Sequence, residues 1–202
     1  MKTFEMVDWE GHARALNATG GFTMRRIIWG HHPTRSHLKL TGQYPTSMCP
    51  LCGETDTRDH FIQCSRINND IQNKKIRDEM RHTANRKGVP DHLINTLTAV
   101  MSGLEPEWER IPFHAREIYK EQETIGWLNM TRGRISSRWG EVRKTNSEGK
   151  KDPEKRWRAA LIKIILGWTH EKWLLRCQLY KEPEEDLELQ EIFAECSEWW
   201  ES

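Results

Sequence analysis

Nowhere in the chain is there an apolar run long enough to cross a bilayer. The most apolar stretch, Ala159 to Trp168, is interrupted by Lys163 and falls well short of the roughly 20 residues a span requires. The first residues, Met1-Lys-Thr-Phe-Glu-Met-Val-Asp8, lack the apolar core of a secretory leader. No run alternates apolar and polar residues in the manner of a half-buried strand, which argues against an all-β architecture. Cysteine is scarce and odd in number, five in 202 residues, so a disulfide framework is not expected and a reducing compartment is. These absences point to a soluble protein of the nucleus or cytoplasm with no membrane partner. Disorder is not expected either. Mean hydropathy is low, −0.82, but ten tryptophans are far more than a disordered chain carries.

The formal net charge of +1 conceals an uneven distribution. Residues 182–202 hold nine acids and no Lys or Arg, so the preceding 181 residues carry 31 basic against 21 acidic side chains. Within 132–158 there are ten basic residues and four acids. A basic body with an acidic tail is a pattern of proteins that meet polyanions, although a well-solvated helical surface has the same composition.

Helical periodicity runs through almost the whole chain. Asp8 is placed to cap a helix over 8–17, and a second, Phe22 to Trp29, ends at Gly30. A short helix is expected at 34–40. After the cysteine-rich segment a helix could run on from Cys64 through a polar stretch at 66–87, where Gly88-Val-Pro90 stops it. Asp91 then caps Leu93, Leu97, Val100 and Met101. Two longer helices are predicted at 112–124 and 125–144. A last one begins at Pro153, a favoured residue for a first helical turn, and runs to about Tyr180. Its apolar residues cover so much of its girth that it belongs at the centre. Trp157, Trp168 and Trp173 are assigned to the core. The expected architecture is mostly α, a multi-helix domain with a small inserted Cys3His zinc knuckle. The segments are 1–44, an N-terminal helical part; 45–68, the zinc unit; 69–181, a helical domain; and 182–202, the acidic tail. In the tail, Leu189, Ile192, Phe193, Cys196 and Trp200 form an apolar stripe suited to packing back on the body or to meeting a partner.

One segment carries readable chemistry. Cys49-Pro-Leu-Cys52-Gly53, His60 and Cys64 give C-x2-C-x7-H-x3-C within sixteen residues. Three thiolates and one imidazole are the donor set of a closed, structural zinc site. A two-residue spacer lets a turn aim both sulfurs at one point, and Gly53 can adopt the positive φ that such a turn needs. Thr57 is a plausible helix cap, and His60 and Cys64 are then one helical turn apart on a single face. Cys177 and Cys196 read as ordinary reduced thiols. His31, His32 and His37 have no Cys nearby and read as turn or surface histidines.

With these residues in view the chain resembles the zinc-binding region found C-terminal to the reverse transcriptase of non-LTR retrotransposons. The resemblance rests on the cysteine–histidine spacing with Phe61-Ile62 after the histidine, and on two downstream blocks. Ile125-Gly-Trp-Leu-Asn-Met-Thr-Arg-Gly-Arg-Ile-Ser-Ser-Arg-Trp139 is similar to a GW-x-N-x3-GR-[IL]-S-x2-W block. Arg156 to Trp173 is similar to an RW-x3-LI-x5-W-x4-W helix near the end of such reading frames, and Asp8 to Leu16 fits the same context. The spacing departs from the C-x2-C-x4-H-x4-C of retroviral nucleocapsid knuckles. The resemblance implies a segment that helps position RNA or DNA, alone or with a reverse transcriptase or another element-encoded protein. Polymerase activity is not expected, because no Asp-Asp dipeptide occurs in the chain.

The leading expectation is therefore a non-enzymatic, zinc-stabilised nucleic-acid-binding module. Cys49, Cys52, His60 and Cys64 would hold Zn²⁺, and Arg25, Arg26, Arg132, Arg134, Arg138, Lys150 and Lys151 would meet RNA or DNA phosphates. Arg134 and Arg138 share a face if 125–144 is helical. One alternative is a protein-interaction module using the acidic tail. Another is a restriction-like endonuclease remnant, with Pro90-Asp91 and Glu105 as the acid pair, although Asp91 also stands where a helix cap belongs.

Overall fold

The computed structural model describes residues 2–19, 22–29, 31–142 and 153–181. Among these the chain is mostly α-helical, with two isolated β-bridges and no extended strand. The helices are α1 (Lys2–Met6), α2 (Trp9–Thr19), α3 (Phe22–Trp29), α4 (Arg35–Leu40), α5 (His60–Gln63), α6 (Ser65–Asn68), α7 (Ile71–Arg86), α8 (Asp91–Met101), α9 (Arg116–Ile125), α10 (Trp127–Met130) and α11 (Pro153–Lys181). Short 3-10 turns lie at Trp108–Arg110, Phe113–Ala115 and Ser137–Val142. Lys150, Lys151, the 146–151 loop and the tail at 182–202 lie outside the described residues.

Helix α11 is central, as its apolar girth predicts. Its 29 residues make a rod of about 44 Å at 1.5 Å per residue. Trp157, Leu161, Ile162, Ile165, Leu166, Trp168, Trp173 and Tyr180 are all buried along it. Helices α2, α7 and α5 pack against it, and α3, α6 and the Ser137–Val142 turn complete its surroundings. Asp8 caps α2 as expected, accepting from the Gly11 N–H at 3.0 Å. Its other carboxylate oxygen binds Arg158 of α11 at 2.6 Å, so one residue both starts a helix and fixes it to the core.

Three expected helices take a different form. The predicted helix over 125–144 does not exist as a unit: α10 is only four residues long, and a looped segment follows. The Gly133 and Arg134 N–H groups turn back to the carbonyls of Met130 and Asn129, and Gly133 adopts φ 75°. A Cβ added there would lie 2.9 Å from Ile162 of α11, so both backbone angle and contact demand glycine. Ser136 then pairs with Val7 in a bridge, and Trp139 is buried from a 3-10 turn. Buried Gln122 of α9 replaces helical hydrogen bonding here. It donates to Arg134 O at 3.2 Å and accepts from Ser136 N and the Trp139 indole at 2.9 and 3.0 Å.

The helix expected to continue past Cys64 breaks there, where φ −56° and ψ 119° leave helical space. Asp70 starts α7 afresh by accepting from the Gln72 N–H. Asp91 is not a cap but the first residue of α8, with Pro90 in the cap position. Proline fixes the extended approach, and its carbonyl receives the Leu93 and Ile94 N–H groups.

Lys172 of α11 is wholly buried. Its ammonium donates to Ile62 O at 2.8 Å, to Asn68 Oδ1 at 2.5 Å and to Met101 O. It therefore ties the ends of α5, α6 and α8 to the central helix. Burial pushes its pKa down to about 7. A folded value below the unfolded one means that the unfolded chain holds the proton between the two, so stability rises with pH from about 7 toward the ordinary lysine range. Lys172→Met takes a donor from three acceptors, of which Ile62 O keeps the Asn68 amide at 3.2 Å, and is expected to destabilise by about 2–4 kcal/mol. Denaturant unfolding at several pH values checks both the loss and the disappearance of this alkaline gain.

Candidate metal centre

A tight hairpin presents the first two cysteines. The Gly53 N–H donates to Cys49 O at 2.8 Å, the Cys49 N–H donates to Glu54 O at 2.6 Å, and Met48 pairs with Thr55 in a bridge. Gly53 takes φ 77°, the conformation its place after the turn requires. The second pair comes from α5. His60 opens the helix and Cys64 closes it, with the Cys64 N–H on His60 O at 2.6 Å. The cap position belongs to Asp59 rather than Thr57. Thr57 contributes its backbone carbonyl to the His60 N–H, and Asp59 turns its carboxylate to arginine instead.

The Cys49, Cys52 and Cys64 sulfurs and a ring nitrogen of His60 all lie within 4.8 Å of one another. Tetrahedral arms of about 2.3 Å to sulfur and 2.1 Å to nitrogen span edges of roughly 3.5–3.8 Å, so the four donors are grouped closely enough to be consistent with a metal site. His60 Nε2 faces the sulfurs, 3.2 Å from Cys52. Nδ1 points the other way, 3.9 Å from the Glu54 carboxylate, near enough for charge attraction but beyond a hydrogen bond. Cys49, Cys64 and His60 are buried and Cys52 is partly covered.

The electrostatics of the four groups favour a cation. A hydrogen bond from the Cys64 thiol holds Cys49 far below the ordinary thiol range, and the same contact drives Cys64 far above it. Burial pushes Cys52 up, and the Cys49 sulfur raises His60. Three thiols packed together cannot all ionise alone; a divalent ion at their centre removes the conflict.

Behind the donors lies a buried polar layer. The Tyr180 hydroxyl is 3.3 Å from Cys49 Sγ. Asp56, fully buried two residues before Arg58, meets Arg176 of α11 at 2.5 Å and accepts from the Arg35 N–H at 2.7 Å. The Arg176 guanidinium stacks over Tyr180 at 4.1 Å and Trp173 at 4.4 Å, and that of Arg35 over Tyr44 at 3.4 Å. Phe61, Trp173 and His32 form a mutual edge-on trio with centroids 4.6–5.4 Å apart. His32 is therefore not a surface histidine. Burial lowers its pKa to about 4, and its Nε2 donates to Arg58 O at 2.6 Å. His31 and His37 are exposed, as expected.

The expected phosphate-contacting residues separate. Arg132 is buried at 5% exposure, its guanidinium on Asp59, so its charge serves the seam between the knuckle and the 130–136 segment. Arg134 is half-buried with one nitrogen on Asn129 Oδ1 at 3.1 Å. Arg138 pairs with Glu141 at 2.9 Å on a 3-10 turn, so the shared helical face with Arg134 is absent. Arg25 is exposed on α3 and Arg26 half-buried. Arg58, which sequence spacing did not single out, lies by Asp59 at 3.4 Å and is largely exposed. Arg132 and Arg58 both act electrostatically on Arg134. Two guanidiniums, Arg132 and Arg58, thus share the Asp59 carboxylate, with Arg134 near enough to feel both.

The proposed acid pair is not assembled. Asp91 begins α8 and Glu105 follows its end, so ten further helical residues, about 15 Å, lie between them. Trp157, Trp168 and Trp173 are buried, as assigned. No described helix is long and apolar enough to cross a membrane. The chain matches no protein-family model, no curated protein and no solved structure.

Proposed function

We propose that the chain is a zinc-stabilised helical module that binds RNA or DNA, of the kind that follows the reverse transcriptase in non-LTR retrotransposons, without catalytic activity of its own. The donor set supports zinc. Three soft thiolates and an imidazole in tetrahedral reach suit Zn²⁺, whereas magnesium and calcium take oxygen donors. Four protein donors also leave no open position for a bound water, which makes the role structural.

The observation that carries the nucleic-acid reading is the arginine surplus at the knuckle seam. Arg58 and Arg132 both lie on Asp59 and Arg134 stands near them, so the guanidiniums outnumber the one carboxylate beside the knuckle. Arg132 serves as the fixed member of the group; Arg58 and Arg134 are the members with solvent-facing surface. Guanidinium groups suit phosphate because they bind it through two parallel N–H donors.

In a gel-shift series with single-stranded and duplex RNA and DNA, affinity is expected to fall steeply with salt, since each neutralised phosphate releases counterion. Arg58→Ala with Arg134→Ala is expected to weaken binding roughly tenfold and to flatten the salt slope by about two contacts. Binding that is insensitive to salt, or unchanged in the double variant, contradicts the proposal.

A further inference from the structure

A second surface differs in charge from the arginine seam. Where α8 and α9 end, a cleft of about 390 Å³ opens between the 103–105 loop and the start of α10. Leu104, Leu128, Val100 and Trp127 give it apolar walls, and Glu105 and Glu123 stand at its edge. Trp127 is fixed from behind by Tyr119, with ring centroids 6.0 Å apart. Leu104 is 64% exposed, an apolar side chain held in solvent beside an aromatic wall.

The charges of this cleft are of one sign. No Lys or Arg lines it, and neither glutamate has an ion-pair partner among the described residues. The end of α9, marked by Gly126, adds the negative pole of a helix to the same place. Two cations approach from behind α8 without lining the cleft. Lys172 is held on Met101 O and Ile62 O, and Arg77 on Ser102 Oγ. The volume lies in the range of ligand-binding clefts, about 300–1,000 Å³.

We infer that this cleft binds a basic peptide segment of a partner protein, seating an arginine or lysine between Glu105 and Glu123 and a neighbouring aliphatic side chain against Leu104 and Trp127. Charge complementarity selects the cation, and the walls select its apolar stem: long basic side chains lay their methylenes along apolar surface while the head meets charge. A nucleic acid is disfavoured here, because its phosphates would face two carboxylates. The cleft therefore serves a different partner from the arginine seam.

The test is calorimetric titration of the metal-loaded full chain with a blocked Ala-Arg-Leu-Arg-Ala peptide at low salt, against the same peptide with Glu in place of Arg. Only the basic peptide is expected to bind. Glu105→Gln with Glu123→Gln is expected to weaken it roughly tenfold, since both exposed charge contacts are lost. Leu104→Ser is expected to weaken it several-fold. All three residues lie at the surface or cleft edge, so an unchanged unfolding midpoint verifies the fold. Equal affinity in the double variant overturns the assignment, as does binding of the acidic peptide. Binding indifferent to Leu104 overturns the apolar half. If the peptide binds only after deletion of 143–152, the chain's own basic segment is the occupant and the partner assignment falls. Oligonucleotide affinity measured on the same double variant separates the two surfaces: it should be unchanged whether or not the peptide site is real.

Discussion

Cys64→Ser is expected to lower the unfolding midpoint by roughly 10–20 °C, with loss of bound zinc. The size follows from where the site lies. Cys49 and Cys64 are 1% and 0% exposed and belong to the same core cluster as Phe61, Ile62, Ile67 and Trp173, so the donor cluster is part of the core rather than an appendage. Helix α5 spans four residues, too short to persist on its own hydrogen bonds, and its first residue and its closing cap are both ligands. Zinc contributes apparent energies of about 10–16 kcal/mol to isolated finger peptides. Even the loss of about 5 kcal/mol would shift a chain of this size by the stated range, at roughly 2–4 °C per kcal/mol. A chelator should reproduce the effect in the parent protein, and added zinc should reverse it. Scanning calorimetry with metal analysis of the same samples checks both. A shift of one or two degrees on complete metal removal would mean that the helices hold the knuckle and not the reverse.

Asp56→Ala is expected to cost about 3–5 kcal/mol, since breaking a fully buried pair leaves the surviving charge without compensation. Arg176 would be the stranded group, 0% exposed and stacked between two aromatic faces. The Arg35 N–H would lose its acceptor as well. The double variant Asp56→Leu with Arg176→Met removes both charges and is expected to recover most of the loss, a coupling that a double-mutant cycle reads directly. If the two single effects simply add, the pair is not the link between knuckle and α11. Zinc affinity supplies a second readout. Asp56 follows the hairpin that carries Cys49 and Cys52, so loosening it should weaken metal binding in the single variant and much less in the double.

The metal donors were legible because their chemistry is local. Cys49, Cys52, His60 and Cys64 fall within sixteen residues, and a turn followed by one helical turn brings them together without help from the rest of the chain. The central position of α11 was legible for a related reason, since its apolar residues surround the helix. Other features depend on contacts distant in sequence. Nothing in the spacing pairs Asp56 with Arg176, or Cys49 with Tyr180, 120 and 131 residues away. The same holds for Arg132, which reads as a free cation in an arginine-rich segment and is buried against Asp59. The expected helix over 125–144 failed at Gly126 and Gly133, where positive φ and the Gln122 hydrogen bonds impose a loop. Ile135 and Trp139 remain buried, but from beside the Val7–Ser136 bridge and from a 3-10 turn. Apolar spacing registers which residues are inside; it does not register which backbone carries them there.

X-ray absorption at the zinc edge, on protein whose metal content has been counted, tests the account most directly. One zinc per chain is expected, with three sulfur neighbours at about 2.3 Å and one nitrogen neighbour at about 2.0–2.1 Å. Cys64→Ser should bind much less zinc, and any zinc it retains should show two sulfur neighbours. A shell containing a water oxygen, fewer than three sulfurs in the parent protein, or a chain that folds to the same stability with no metal bound would contradict it.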